Sequence, residues 1–118
     1  VRNADLDLMV EGRDGYVLKG SSTMKEISRD PLDLVAQTTG RHHQYPDGFM
    51  LFMGTLFAPV EDRDTPGQGF THKIGDVVTI SNPQLGALTN TVRLSTECPE
   101  WTFGMAALMR NLAARGLL

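Results

Sequence analysis

The chain has 118 residues, of which 41% are hydrophobic and 21% are charged, as in an ordinary globular domain. Eleven basic and fourteen acidic side chains leave a net charge of −3. Neither a basic nucleic-acid surface nor a polybasic membrane patch is therefore expected. The single cysteine, Cys98, excludes an intramolecular disulfide and a multi-thiolate zinc site. A reducing compartment fits best, and we expect a cytoplasmic location.

Two strands joined by a turn are predicted near the N-terminus. Leu6, Leu8 and Val10 alternate with Asp5, Asp7 and Met9, which predicts a strand with one buried face. The turn-forming sequence Glu11-Gly-Arg-Asp-Gly15 follows, and residues 16–18 continue as a second strand. The pattern is typical of a β-hairpin.

The middle of the chain combines a helix, a turn, a strand and a loop. A helix is predicted to begin at Pro31, because Asp30 can cap it and proline suits the first helical position. The sequence Tyr45-Pro-Asp-Gly48 predicts a turn. Residues 49–53 are uninterruptedly apolar, which predicts a short strand buried on both faces. Residues 58–72 are predicted to form a long ordered loop.

Two further strands and a terminal helix complete the prediction. Strands are expected at residues 77–80 and 88–94, separated by turn residues 82–86. Residues 102–115 carry apolar side chains at helical spacing and end at Gly116, which predicts an amphipathic helix that packs on the sheet. The predicted fold class is therefore α+β, rich in β-structure, with two short helices.

Signatures of nucleotide and metal binding are weak. Gly67-Gln-Gly69 lacks the third glycine of a dinucleotide-binding loop. The histidines 42, 43 and 72 are interpreted as solvated or hydrogen-bonded loop residues rather than metal ligands. The charged run at residues 61–64 could hold a hard cation, but a surface loop is the simpler interpretation.

Glycine and hydroxyl side chains suggest a carboxylate-binding site. Gly54 and Thr55 lie where the predicted strand at residues 49–53 ends, so a backbone N–H and a hydroxyl are available there. Such a pair alone more often forms only a turn. Ser21 and Ser22 belong to a hydroxyl cluster that could cap the following segment or face a ligand.

Three passages, in order, resemble the C-terminal part of the fumarylacetoacetate hydrolase family. Met53-Gly-Thr55 is similar to the family's Thr-Gly-Thr, Lys73-Ile-Gly-Asp76 to its second Gly-Asp turn, and Gly86-Ala-Leu-Thr-Asn-Thr-Val92 to its last strand. Passages that begin at Ser21, at His43 and at Trp101 further resemble the branch that contains 2-keto-3-deoxy sugar-acid (xylonate or arabinonate) dehydratases.

The resemblance implies a fold and an activity. The fold would be part of the family's mixed β-sandwich roll, in a homodimer. The substrate would be a small-molecule 2-oxo acid, with Gly54 and Thr55 binding its carboxylate and Ser21 and Ser22 as weaker candidates. A bound Mg²⁺ or Mn²⁺ would chelate the 2-oxo acid and stabilise the enolate formed when the C3 proton leaves. A dehydratase would then expel the C4 hydroxyl.

The family's metal ligands include a Glu-x-Glu pair, which this chain does not contain. Residues 1–118 are therefore expected to be a single segment from the C-terminal portion of a longer catalytic domain, with the missing N-terminal part of the same polypeptide as partner. The segment alone would lack the metal ligands and be inactive, and no catalytic residue is assigned. Two alternatives stay open: an acylpyruvate or fumarylacetoacetate-type C–C hydrolase, and a non-catalytic β-rich module for dimerisation or ligand binding.

Overall fold

The computed structural model describes residues 1–54 and 57–118. The described part of the chain contains one antiparallel sheet of four strands in the order β2-β1-β3-β4, together with two α-helices and two single-turn 3-10 helices. The α+β class, the richness in β-structure and the two short helices are confirmed. The elements are β1 (Asp5–Glu11), β2 (Val17–Thr23), a 3-10 turn (Met24–Glu26), α1 (Pro31–Thr38), β3 (Val77–Asn82), β4 (Gly86–Thr91), a second 3-10 turn (Ser95–Glu97) and α2 (Met105–Ala114).

The predicted N-terminal hairpin is confirmed. The Gly12 N–H donates to the Tyr16 carbonyl at 2.8 Å, and Gly15 has φ of 83°, which glycine adopts without strain. Val10 lies opposite Leu18 on one side and opposite Val78 on the other, so these three side chains share one face of the sheet. Val10 and Leu18 are 0% and 2% exposed and form the centre of a small core.

The connection between β3 and β4 is a turn organised by Asn82. Its Oδ1 accepts hydrogen bonds from the backbone N–H groups of Gln84 at 2.8 Å and Leu85 at 2.9 Å. Its Nδ2 donates to the Asp5 carbonyl at 2.7 Å, which ties the turn to the beginning of β1. Strand β4 ends at Thr91, earlier than predicted, and lies at the edge of the sheet with its residues exposed.

Helix α1 begins at the predicted residue, and helix α2 ends before the predicted glycine. The Asp30 Oδ1 accepts from the Leu32 N–H at 2.8 Å, which caps α1. Helix α2 begins at Met105, three residues later than predicted, and ends before Gly116, whose φ is 66°. Neither these helices nor any other in the described part of the chain has the length and apolar character needed to cross a membrane.

The prediction that α2 packs on the sheet is wrong. Its apolar residues Met105, Leu108 and Met109 are all exposed. Helical periodicity fixes which side chains share a face, but it does not specify what covers that face. In the described chain, the apolar stripe of α2 faces solvent.

The prediction of a buried strand at residues 49–53 is also wrong. This segment is irregular, and Met50 and Phe52 are 84% and 89% exposed. A strand that is apolar on both faces needs a pairing strand and a covering layer on each side. The described residues supply neither there, so the segment stays on the surface.

The chain is less compact than its length predicts. Its radius of gyration is 18.5 Å, whereas a compact chain of this length has about 13–14 Å. Its accessible surface is 9641 Å², against about 6,300 Å² expected for a monomer of this mass. The excess of about 3,300 Å² in one chain exceeds the roughly 1,000–2,500 Å² that each partner buries in a large obligate interface. Much apolar surface is therefore uncovered.

Candidate functional site

A cavity of about 500 Å³ lies against the apolar face of the sheet. Its floor is formed by Leu6 and Leu8 of β1 and by Val78 and Ile80 of β3. These side chains share a face because Leu8 pairs with Ile80, and Val10 pairs with Val78. The antiparallel pairing of β1 with β3 therefore creates the floor from two distant parts of the sequence.

Residues 57–59 form one wall of the cavity. The Phe57 ring rests on β2 at Gly20, where an added Cβ would lie 2.3 Å from the ring Cζ. Gly20 is the position at which β2 offers no side chain to hold the ring away. The lack of a side chain there lets the wall approach the sheet.

Two of the predicted carboxylate-binding residues, Gly54 and Ser22, line this cavity together. Gly54 has φ of 87°, in the left-handed region where a non-glycine residue would be strained. Ser21 does not line this cavity; it lines a second hollow of about 400 Å³, which Ser22 also lines together with Asp5, Thr23 and Glu26. Thr55 lies outside the described residues.

Two polar residues that the sequence did not single out for this site, Asp7 and His72, also line the cavity. The His72 Nδ1 lies 3.8 Å from the Asp76 Oδ2, and its ring meets the Phe70 ring edge-on with centroids 4.8 Å apart. No local sequence pattern predicts that either residue lies at this cavity. Their proximity depends on the pairing of β1 with β3.

The cavity residues do not by themselves fit a magnesium site. Mg²⁺ prefers octahedral coordination by oxygen, usually with one or two carboxylates. His72 offers an imidazole, whereas Asp7 lies between Leu6 and Leu8 in β1, so its carboxylate is on the opposite face of the sheet from the cavity floor. Among residues 1–54 and 57–118, no group of three or more histidine, cysteine, aspartate or glutamate side chains is arranged to hold a metal ion.

The loop between the wall and β3 is held by a buried ion pair. Arg63 donates from Nη1 to the Asp76 Oδ2 and from Nη2 to the Asp76 Oδ1, the latter at 2.8 Å. The side chains are 2% and 1% exposed. The Arg63 guanidinium also stacks over the Tyr16 ring, 4.6 Å from its centroid. The interpretation of residues 61–64 as a charged surface loop is therefore wrong for Arg63, because its partners are distant in sequence.

The remaining loop contacts explain why residues 58–72 are ordered, as predicted. The Asp62 carboxylate accepts from the backbone N–H groups of Gly67 at 2.7 Å and Gly69 at 2.6 Å. Lys73 Nζ donates to Asp14 at 3.0 Å and also to Asp64. The loop is therefore held by its own turn and by the hairpin.

The ion pair and its neighbours keep their charges over a wide pH range. The hydrogen bonds from Arg63 outweigh burial and lower the pKa of Asp76 to about 2. The hydrogen bond from Lys73 is the main cause that lowers the pKa of Asp14 to about 2. Burial, followed by the hydrogen bond to Glu61, raises the pKa of Tyr16 to about 12. At neutral pH both carboxylates are thus ionised and the phenol is neutral.

Comparison of the chain with protein-family models, with curated proteins and with solved structures found no match. The resemblance to the fumarylacetoacetate hydrolase family therefore stays a prediction. A functional assignment depends on the residues of the cavity and on the surface around it.

Proposed function

We propose that this chain is the C-terminal portion of a metal-dependent enzyme of the fumarylacetoacetate hydrolase family that dehydrates a 2-keto-3-deoxy sugar acid. The observation that carries this proposal is the shared cavity of Gly54 and Ser22, both selected from the sequence as carboxylate binders. The cavity volume of about 500 Å³ also lies in the usual range for small-molecule sites.

In this proposal the chain supplies the groups that bind the substrate's carboxylate. The positive φ of Gly54 allows the chain to turn beside the cavity without strain. Backbone N–H groups and hydroxyls, such as that of Ser22, are suitable donors to a carboxylate. Thr55 would add a second hydroxyl, given its position next to Gly54. Mg²⁺ or Mn²⁺ ligands would come from the preceding part of the same polypeptide.

The uncovered apolar surface supports the proposal that the rest of the polypeptide and a second copy of the chain bind to this segment. The exposed residues 49–53 and the exposed apolar stripe of α2 would be covered by the rest of the polypeptide and by a second copy in a homodimer. The covering layers would complete the mixed β-sandwich roll of the family. A cytoplasmic location fits the free, exposed Cys98.

One observation favours a second candidate, an acylpyruvate-type C–C hydrolase. The cavity floor and wall are largely apolar, with Leu6, Leu8, Ile80 and Phe57 among the lining residues. A hydroxylated sugar-acid chain would need hydrogen-bond partners there, because burying an unpaired hydroxyl is costly. An acylpyruvate carries an apolar acyl group that needs none. Both candidates share the same bound 2-oxo acid.

A turnover assay on the full-length polypeptide distinguishes the two. A 2-keto-3-deoxypentonate and an acylpyruvate are offered in parallel with Mg²⁺, with and without EDTA. Loss of water from the sugar acid, abolished by EDTA, is the expected result. Cleavage of the acylpyruvate instead would identify the enzyme as a C–C hydrolase. Turnover of neither would favour a non-catalytic ligand-binding or dimerisation module.

The binding residues are tested by a matched pair of serine variants. Ser22→Ala removes a hydroxyl from a residue that lines both the cavity and the second hollow, whereas Ser21→Ala removes one from a residue that lines the hollow alone. Because a hydrogen bond to a charged group is worth about 1.5–3 kcal/mol, Ser22→Ala should raise KM by about tenfold or more. Ser21→Ala should leave KM unchanged. Thr55→Val should likewise weaken binding while the protein stays folded, and unchanged kinetics would remove Thr55 from the site.

A further inference from the structure

We propose that Arg63 is a positioning residue, which fixes the wall of the ligand cavity through contacts with three side chains and the Thr71 carbonyl. We call the side-chain group the Arg63 clamp; it consists of Arg63, Asp76, Asp14 and Tyr16. The inference rests on the proposed function only in taking the 500 Å³ cavity as the ligand site. It concerns how the cavity keeps its shape, whichever 2-oxo acid enters.

The clamp joins three parts of the chain that are far apart in sequence. Asp14 and Tyr16 lie in and after the turn of the N-terminal hairpin, Arg63 lies in the loop, and Asp76 immediately precedes β3. Arg63 Nη2 lies 3.3 Å from the Asp14 Oδ1, and Lys73 Nζ lies 3.0 Å from the Asp14 Oδ2. Asp14 therefore connects the loop and the β3 approach to the hairpin.

Both ends of the clamped loop line the cavity. Pro59 lies in the wall, four residues before Arg63, and His72, which also lines the cavity, lies four residues before Asp76. Arg63 Nη1 also donates to the Thr71 carbonyl at 3.2 Å, next to His72. Displacement of Arg63 would therefore move lining residues at both ends of the loop.

The burial of the ion pair makes the position of the loop depend on Arg63. With the Arg63 side chain 2% exposed and that of Asp76 1% exposed, removal of the guanidinium would leave a buried, unpaired carboxylate. Lifting the loop is the direct way to return water to Asp76. A lysine would keep the charge, but it cannot make the two-pronged contact with both carboxylate oxygens.

The clamp also carries one unfavourable feature. Arg63 Nε is buried and has no hydrogen-bond partner among the described residues. A buried donor without a partner destabilises the folded state, and contact with water would remove this destabilisation. The closed loop is consequently less stable than it would be if every donor of Arg63 had a partner.

Hydrogen exchange of the full-length polypeptide, followed by mass spectrometry, tests the clamp. Arg63→Met and Arg63→Lys are compared with the wild type, with Asp64→Asn as the control, because Asp64 lies in the same loop but contacts Lys73 from an exposed position. We expect exchange in Arg63→Met to accelerate in peptides that cover residues 57–72 by a factor at least about ten times larger than in peptides from residues 5–23. Arg63→Lys should be intermediate, and Asp64→Asn should resemble the wild type.

An equal acceleration in both sets of peptides would mean global destabilisation and would overturn the proposal, as would an unchanged loop. If Arg63→Met does not fold, the comparison between the peptides of residues 57–72 and those of residues 5–23 is made in Arg63→Lys, and the same outcomes support or overturn the proposal. The affinity for pyruvate, measured with Mg²⁺ present, provides a second readout: Arg63→Lys should weaken it, and an unchanged affinity with an opened loop would overturn the positioning role. Failure of the wild type to bind pyruvate would count against the proposed function, while the exchange data would still decide the clamp.

Discussion

The Phe57 ring lies on the backbone of Gly20, at a distance that leaves no room for a side chain. A Cβ at Gly20 would come within 2.3 Å of the ring Cζ and 2.4 Å of Cε1. Gly20 lies two residues before Ser22 in the same strand, so both face the same side of the sheet. The contact places the cavity wall next to one of its proposed binding residues.

We expect Gly20→Ala to displace the Phe57 ring and to lower the free energy of unfolding by about 1–3 kcal/mol, the usual cost of overpacking. Urea denaturation measures this change. Gly40→Ala is the matched control, because an added Cβ there meets nothing within 4 Å. Equal stability of the two variants would contradict the contact.

The small core predicts that a leucine-to-alanine substitution has very different effects on stability at a buried and at an exposed position of the sheet. Leu18 is 2% exposed and Leu88 is 71% exposed. Leu18→Ala should destabilise the protein by about 2–5 kcal/mol, because it removes buried apolar surface and leaves a cavity. Leu88→Ala, measured on the 118-residue chain in the same thermal or urea unfolding experiment, should change stability by less than about 0.5 kcal/mol. A large loss in Leu88→Ala would show that β4 is covered in solution.

The buried ion pair predicts a non-additive double variant. Arg63→Met should cost about 3 kcal/mol, since it leaves the Asp76 carboxylate buried and unpaired. Combining it with Asp76→Leu removes that charge, so the double variant should recover most of the loss. Urea denaturation of the two single variants and the double variant gives the coupling. Simple addition of the two losses would mean that the pair does not act as a unit.

The lowered carboxyl pKa values predict the pH range in which the clamp loses its contribution to stability. Asp76 and Asp14 have pKa values lowered to about 2, whereas an unfolded aspartate has a pKa of about 3.9. Their contribution to stability is therefore complete above about pH 3.9 and is lost as the pH falls towards about 2. Carbon-13 NMR titration of the Asp76 carboxyl measures this directly. In Arg63→Met the pKa of Asp76 should be higher than in the wild type, because the hydrogen bonds from Arg63, the largest cause of the lowering, are gone, and the hydrogen bond from the backbone N–H of Lys73 opposes the effect of burial only in part.

The local features of the fold could be predicted because their partners are near in sequence. The Gly12–Tyr16 turn, the Asp30 cap and the glycine that ends α2 each depend on contacts within a few residues. The strand predicted at residues 49–53 failed because a short apolar run indicates burial but not the surface that provides it. Gly54 and Ser22 were selected by their chemistry, whereas their meeting in one cavity required the whole sheet.

The burial of Arg63 could not be predicted from the sequence either, because its partners are distant along the chain. A charged residue in a polar loop is normally exposed, and only the folded chain brings Asp14, 49 residues away, to its side. Asp76 lies 13 residues beyond it, past the end of the loop. Sequence patterns of period two or 3.6 carry no information about such pairs.

The pairing of β1 with β3 has a kinetic consequence. Each outer strand is joined to its inner neighbour by a short turn, but Val10 meets Val78 across a long stretch of chain. The two hairpins should therefore form early and independently, and their docking along β1 and β3 should limit the rate of folding. Because the entropy of loop closure grows only logarithmically, doubling the length of the intervening chain would add only about 0.6 kcal/mol to that step. The segment between the hairpins is thus free to acquire insertions without disturbing the sheet.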